Sequence, residues 1–160
     1  MKVILTAAML LSASSVAIAQ TAPTPASYVM KAGASDQYEL QSSRLVLATT
    51  KNPALKQFAT MMVTDHTKST ADVKAAAIQS KLSPKPPMLD AMGAKNIAAL
   101  KAATGTARDS LYITQQKTAH EQALALHQNY AATGTAPALK QTAAKIAPVV
   151  QHHIDMLSSM

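Results

Sequence analysis

The sequence predicts an all-α fold, an antiparallel four-helix bundle with one additional short helix between two long hairpins. Alanine, leucine, lysine, glutamine and methionine dominate the composition, and strictly alternating apolar stretches are absent. Apolar residues recur instead in steps of three and four, which is typical of amphipathic helices. Short segments such as "KNP" and "TGTAP" interrupt this pattern. Because the connections are short, we expect successive long helices to pack antiparallel.

The interrupting segments set the predicted bounds of five helices. Asn52 is a good N-cap and Pro53 suits the first helical position of the second helix, while Thr106 is a candidate cap for the fourth. Pro148 lies inside the last helix, where it removes one backbone hydrogen bond and is expected to bend the helix. The predicted helices span residues 27–50, 53–81, 88–103, 107–132 and 137–157.

The N-terminal residues have the pattern of a secretory signal peptide. A basic Lys2 precedes an apolar run that ends in the small residues Ala17-Ile18-Ala19. A transmembrane anchor is the alternative, but the run is shorter than the ~20 residues that span a bilayer. We therefore predict a cleaved signal peptide over residues 1–19, a flexible tether over 20–26 and a single bundle domain over 27–157.

Composition narrows the location and the partners. The chain contains no cysteine, which excludes a lipid-carrying cysteine, disulfides and thiolate metal sites. We expect a periplasmic protein, with outer-membrane association or release from the cell as alternatives, and no transmembrane segment in the mature chain. The formal net charge is +7, but lysines are spread singly and aromatic residues are few. Nucleic acid is therefore not an expected partner, since its binders cluster basic and stacking residues.

Four polar residues lie on the apolar stripes of the four long helices. They are Glu39, His66, His120 and His153, one on each helix. Glu39 and His66 are about equally far from the first hairpin turn, so they should come level in an antiparallel pair. His120 and His153 are offset by about five residues, or roughly 7 Å at 1.5 Å per residue. We expect the four side chains to meet in one layer or in two adjacent ones.

Two interpretations of this layer stay open. Three imidazoles and a carboxylate can bind Zn²⁺, Cu²⁺ or Fe²⁺, and bundle interiors commonly hold such sites. The alternative is a metal-free polar layer, in which the carboxylate accepts hydrogen bonds from the histidines. Either arrangement satisfies buried polar groups that are costly when they lack partners.

Neighbouring polar residues are interpreted as peripheral. His127 shares the stripe of His120 but lies two turns nearer the loop, so we interpret it as an edge residue. Asp65 and Glu121 adjoin stripe histidines in sequence but point elsewhere on their helices, and we interpret both as surface charges. The methionines lack the spacing of a copper-binding cluster and are interpreted as core residues.

Residues 28–77 carry "MVTDH", and residues 107–157 carry "HEQAL" and "PVVQHH". These two stretches resemble the hairpins of the bacterial domain of unknown function 4142, whose exported members are often labelled outer membrane proteins. The resemblance covers about residues 27–157 and implies a ferritin-like bundle with no established activity. It places the family pattern on the same four polar residues. The chain has no Glu-x-x-His motif, so a ferritin-type di-iron ferroxidase is not expected.

The sequence is consistent with three functions. The first is a metal-binding bundle for storage, buffering or delivery, with zinc, copper or iron held by the four polar residues. The second is a structural or stress-related interaction module of the envelope, whose polar layer sets helix register. The third and weakest is a metal-dependent oxidoreductase or hydrolase. No residue is predicted to be catalytic, since serines lack a neighbouring base and no phosphate-binding loop is present.

Overall fold

The computed structural model describes residues 23–160, which form five α-helices and no strand. The all-α prediction is confirmed, and every helix bound lies within three residues of its predicted position. The predicted signal peptide and residues 20–22 of the predicted tether lie outside the described residues. The helices are α1 Pro25–Leu47, α2 Pro53–Gln79, α3 Ala91–Ala102, α4 Gly105–Thr133 and α5 Pro137–Ser158.

Local capping determines where α1 and α2 begin. The side chain of Thr24 accepts a hydrogen bond from the backbone of the first turn of α1. Asn52 accepts from the backbone N–H groups of Ala54 and Leu55, as predicted, with Pro53 in the first turn of α2. These bonds satisfy N–H groups that have no partner within a helix.

The predicted cap of α4 is wrong. Thr106 lies inside the helix, and Thr104 occupies the cap position without a side-chain hydrogen bond. Gly105 has a φ angle of +54°, which glycine adopts without strain, so the chain turns into the helix there. Arg108 then donates to the carbonyl oxygens of Leu100 and Ala103 at the end of α3, which joins the two helices.

The four long helices form a bundle of two hairpins. Helix α1 packs against α2 and α4, and α5 packs against α2 and α4. Ser43 meets Tyr112 near one end of the α1–α4 pair, and Tyr28 meets His127 near the other, so these two helices are antiparallel. Since α2 is also antiparallel to α1, helices α2 and α4 run in the same direction.

The connection between α2 and α4 therefore runs along the bundle. Its extended part places Pro87 against Gly33 of α1, and α3 then packs on α1 and α4. The expected antiparallel packing of successive helices holds within each hairpin but not between α2 and α4. One long crossover between two hairpins is the topology of ferritin-like bundles.

Two apolar clusters fill the core, one on each side of a polar layer. The first includes Tyr28, Val73, Tyr130 and Val150, and the second includes Phe58 among others. Burying each large apolar side chain contributes roughly 1.5–3 kcal/mol, so the clusters hold the helices on both sides of the layer. The polar layer between them consists of Asp36, Glu39, Ser42, Ser43, His66, Ser69, Gln116, His120 and His153, all buried.

Two further features concern the helices themselves. Helix α5 continues through Pro148, whose side chain is exposed. Within residues 23–160, no helix is both long enough and apolar enough to cross a membrane.

Candidate metal centre

Three histidines from three helices meet in the polar layer. His66 of α2, His120 of α4 and His153 of α5 have ring centroids 5.3–5.8 Å apart. One nitrogen from each ring lies within 4.8 Å of the other two. The three residues are at most 5% exposed. The structure thus brings together three of the four residues that the sequence predicts, because each lies on the inward stripe of its helix.

A buried carboxylate orients His66. Its Nδ1 atom lies 2.8 Å from Oδ1 of Asp36, and Oδ2 of Asp36 accepts a hydrogen bond from Thr70 at 3.1 Å. A carboxylate accepts hydrogen bonds, so Nδ1 of His66 is the protonated nitrogen. The other nitrogen, Nε2, is buried and has no hydrogen-bond partner within residues 23–160. In a neutral ring this atom carries a free lone pair.

His120 and His153 are oriented in the same way. Nδ1 of His120 donates to the backbone carbonyl of Gln116 at 2.9 Å. Nε2 of His153 donates to Oδ2 of Asp65 at 3.0 Å. The remaining nitrogens, Nε2 of His120 and Nδ1 of His153, lie 3.3 Å apart. Metal-binding histidines commonly donate their second N–H to a carboxylate or a backbone carbonyl.

The spacing of two of the inward nitrogens fits a metal ion. Zinc–nitrogen bonds of about 2.0–2.1 Å in a tetrahedral site place two ligand nitrogens roughly 3.3 Å apart. His120 and His153 have this spacing in the structure. The donor set fits as well, since imidazole nitrogen suits zinc, copper and iron.

Glu39 lies beside this group. Its Oε1 atom is 3.8 Å from Nδ1 of His120, the nitrogen that does not face the other two imidazoles. Its Oε2 atom is buried and lacks a hydrogen-bond partner among the described residues. The carboxylate is not one of the mutually close ligand atoms. Glu39 therefore adjoins the histidine group from the α1 side, in the same buried layer.

Burial controls the charge of these groups. It lowers the pKa of His120 to about 3, helped by the neighbouring His66 and His153. Burial also lowers the pKa of His153, against the opposing effect of Asp65. Both imidazoles are therefore neutral near pH 7, which is the form that binds metals.

The pKa values of His66 and Glu39 shift in the opposite direction. Burial lowers the pKa of His66, but the hydrogen bond and charge of Asp36 outweigh it and raise the pKa overall. Burial raises the pKa of Glu39 to about 7, against the lowering effects of His66 and Gln116. A cation bound at this centre would therefore displace a proton from the His66 region, because a ligating imidazole must be neutral.

The sequence indicated that Asp65, His127 and Glu121 are peripheral, and the structure shows where each one lies. The interpretation of Asp65 as a surface charge is wrong, because it contacts His153 and its side chain is only 33% exposed. His127 is not an edge residue, since it is 3% exposed and Tyr28 OH lies 3.0 Å from its Nδ1. Glu121 is exposed, as expected. Both errors have the same cause. Helix α1 covers a face of α4 beside its central stripe, where His127 lies, and α5 covers a corresponding face of α2, where Asp65 lies.

Sequence reasoning also missed Asp36 as part of the site. The signal was present, because Asp36 lies on the same inward stripe as Glu39, one turn earlier. What the stripe does not reveal is that Asp36 comes level with His66 and Thr70 of α2. That pairing depends on the depth of the hairpin contact between α1 and α2.

The fold resembles solved helical structures. A DUF305 fragment from Deinococcus radiodurans has a TM-score of 0.74 at 12% identity, covering 87% of this chain and 95% of that one. A DUF305 protein from Streptomyces coelicolor has a TM-score of 0.70 at 12% identity, covering 85% and 89%. CopM in its Cu(II)-bound form has a TM-score of 0.72 at 19% identity, covering 85% and 94%.

Sequence comparison gives the family. No curated protein matches the chain. The family described as domain of unknown function DUF4142 matches residues 11–160, which include all five helices and every residue of the histidine group. The resemblance seen in the sequence is therefore confirmed, and the chain belongs to the DUF4142 family.

Proposed function

We propose that this chain is an exported helical-bundle protein that binds one divalent transition-metal ion in its core. The ligand atoms are Nε2 of His66, Nε2 of His120 and Nδ1 of His153. The observation that carries the proposal is the orientation of these atoms. In each ring one nitrogen donates a hydrogen bond to a protein acceptor. The lone pairs of the remaining nitrogens therefore converge in one buried place.

The ligand chemistry favours copper(II), followed by zinc and iron. Imidazole is a borderline ligand that binds these ions, whereas magnesium and calcium prefer oxygen. No thiolate is available in the chain, and monovalent copper prefers sulfur ligands. A protein of similar fold, CopM, has been solved in a Cu(II)-bound form, which supports copper as the first ion to test.

Glu39 is the proposed carboxylate of this centre. It is 1% exposed, and a buried negative charge is costly unless a positive group compensates it. A divalent cation between the histidines would supply that compensation. The Oε2 atom of Glu39 has no hydrogen-bond partner in the described part of the chain. It is therefore the atom available to a metal.

The proposed location is the periplasm, reached through the signal peptide predicted over residues 1–19. A protein of similar fold from Streptomyces coelicolor is named, provisionally, as a secreted protein, which supports export. The buried position of the histidines suits storage, buffering or delivery of an ion better than catalysis, since a catalytic metal needs an open coordination position. Association with the outer membrane is part of the same proposal.

A second candidate function is a metal-free interaction module of the envelope. It is favoured by one observation, that each histidine already has a protein hydrogen-bond partner in Asp36, Gln116 or Asp65. In this case the polar layer fixes the register of the helices and nothing binds between them.

The test is the metal content of untagged protein isolated from the periplasm and measured by mass spectrometry. The wild type should carry one ion per chain. His66→Gln should lose it, while His152→Gln should keep it, because His152 is exposed and is not among the three mutually close histidines. A wild-type content below about a tenth of an ion per chain, after incubation with copper or zinc, would contradict the proposal. Full occupancy of folded His66→Gln would contradict it too.

A further inference from the structure

The protein groups that orient the three inward imidazoles differ in how exposed they are to solvent. His66 is oriented by Asp36, whose side chain is 4% exposed. His120 is oriented by the backbone of the fully buried Gln116. His153 is oriented by Asp65, whose side chain is 33% exposed. Among these partners, Asp65 is the one that connects an inward imidazole directly to solvent.

The approach to the histidines along the bundle axis is blocked by packing. The rings lie between the two apolar clusters, which close the bundle axis on both sides. Phe58, fully buried, packs edge-on against His153 with ring centroids 6.3 Å apart. An ion approaching along the axis would have to displace such side chains. At the boundary between α2 and α5, where Asp65 meets His153, the side chain of Asp65 is 33% exposed among the described residues.

Helical geometry explains why Asp65 reaches this position. It precedes His66 in α2 and is therefore turned about 100° from it. His66 points to the bundle axis, and Asp65 points to α5, where its Oδ2 atom lies 3.0 Å from Nε2 of His153. His153 thus presents one nitrogen to a solvent-accessible carboxylate and the other to the buried centre.

From these contacts we infer that Asp65 is the residue through which a divalent cation is taken up into the centre, along the boundary between α2 and α5. The inference rests on the proposed function. The chain carries a formal net charge of +7, which repels cations in solution. A local carboxylate raises the cation concentration at this boundary, and such electrostatic focusing speeds association. The ion then needs to move only past the imidazole of His153.

The experiment measures the rate of Cu²⁺ uptake by metal-free protein in a stopped-flow instrument. The readout is quenching of tyrosine fluorescence, since the chain has four tyrosines and no tryptophan. Asp65→Asn keeps the shape and a hydrogen-bond acceptor for His153 but removes the charge. The matched control is Asp72→Asn, a similarly exposed carboxylate on the same helix that pairs with Lys68.

We expect Asp65→Asn to slow uptake by about fivefold or more at low ionic strength. The difference should shrink at about 1 M salt, where the screening length falls to roughly 3 Å. Asp72→Asn should stay within about twofold of the wild-type rate, because its charge lies two helical turns, roughly 10 Å along α2, from Asp65. Asp65→Glu should restore most of the rate.

Two results would overturn the inference: a wild-type rate in Asp65→Asn, or an equal slowing in Asp72→Asn. If Asp65→Asn does not fold, the wild type alone still decides, because uptake that becomes faster as salt is added shows net repulsion and contradicts electrostatic capture by Asp65. Failure of the proposed function has a different signature. In that case the wild type binds no Cu²⁺ at equilibrium, whereas failure of the inference alone leaves binding through His66 intact.

Discussion

Nε2 of His120 and Nδ1 of His153 lie 3.3 Å apart in the middle of the bundle. Each ring donates its other N–H to a protein acceptor, Gln116 O and Asp65 respectively. In the neutral rings, the facing nitrogens therefore both carry lone pairs, which repel each other unless a cation or a proton lies between them. The packing of α4 against α5 holds this pair together, so a bound cation should stabilise the fold itself.

The first prediction concerns that stabilisation. Copper(II) or zinc at 100 times its dissociation constant should raise the free energy of unfolding by about 2.7 kcal/mol. For a domain of this size the melting temperature should rise by roughly 5–10 °C. Thermal unfolding followed by circular dichroism measures the change, and a chelator should reverse it.

A matched pair of variants provides the control for this prediction. His66→Gln should show no metal-dependent rise, because it removes one of the three inward nitrogens. His127→Gln should respond like the wild type, since His127 is buried but contacts Tyr28 in another part of the core. A melting temperature that is the same with metal and with chelator would favour the metal-free polar layer.

The second prediction concerns Asp36. Its carboxylate accepts a hydrogen bond from Nδ1 of His66 and another from Thr70, so it holds His66 with Nε2 free for a metal. Asp36→Asn removes the charge, and its amide nitrogen can only donate, which favours the wrong tautomer of His66 when it faces Nδ1. We expect metal affinity to fall about 10–100-fold, with one ion still bound per chain at saturation. Isothermal titration calorimetry measures both values.

The control for this prediction is Thr70→Val, which removes the second hydrogen bond of Asp36 and leaves its charge in place. We expect a smaller loss of affinity than in Asp36→Asn. An equal loss in the two variants would show that packing around Asp36, not its contact with His66, determines the effect.

Much of the fold could be predicted from the sequence because its signals are local. Asn52 and Pro53 mark the start of α2 through bonds within a few residues, and stripes of apolar residues show which face of each helix is inward. The three histidines came together for the same reason, since an inward position on an antiparallel hairpin fixes both direction and approximate height.

The partners of the histidines depend on contacts that no single helix encodes. Whether Asp65 faces water or α5 is decided by the angle at which α2 and α5 pack. The burial of His127 depends in the same way on Tyr28, which is 99 residues away in the chain. Helical periodicity indicates the centre of a buried face well, but its edges are set by neighbouring helices.

The third prediction concerns Glu39, whose burial raises its pKa to about 7. A carboxyl group whose pKa is raised on folding stabilises the protein below its unfolded pKa and loses that contribution as pH rises through the folded value. At pH 8 the metal-free wild type therefore contains a buried, ionised carboxylate. Glu39→Gln resembles the protonated form and should raise the free energy of unfolding at pH 8 by on the order of 1–3 kcal/mol.

The same variant should weaken metal binding, because it removes a negative charge beside the centre. Urea unfolding of chelator-treated protein at pH 8 and pH 5 measures the stability change, and titration with Cu²⁺ measures affinity. The stabilisation should be much smaller at pH 5, because below its folded pKa of about 7 the buried Glu39 is protonated and resembles glutamine. Unchanged affinity in Glu39→Gln would remove Glu39 from the proposed ligands and leave the three histidines.

The fourth prediction concerns His127, whose pKa burial lowers to about 4 from 6.5. Between these pH values the unfolded chain binds a proton at His127 and the folded chain does not, so stability rises with pH across this window and is lost as pH falls. His127→Gln keeps a hydrogen-bond partner for Tyr28 but does not titrate. It should reduce the pH slope of the unfolding free energy by up to about 1.4 kcal/mol per pH unit, measured by urea unfolding of metal-free protein. His152→Gln, on the exposed face of α5, should leave the slope unchanged, and a wild-type slope in His127→Gln would contradict its burial as a neutral ring.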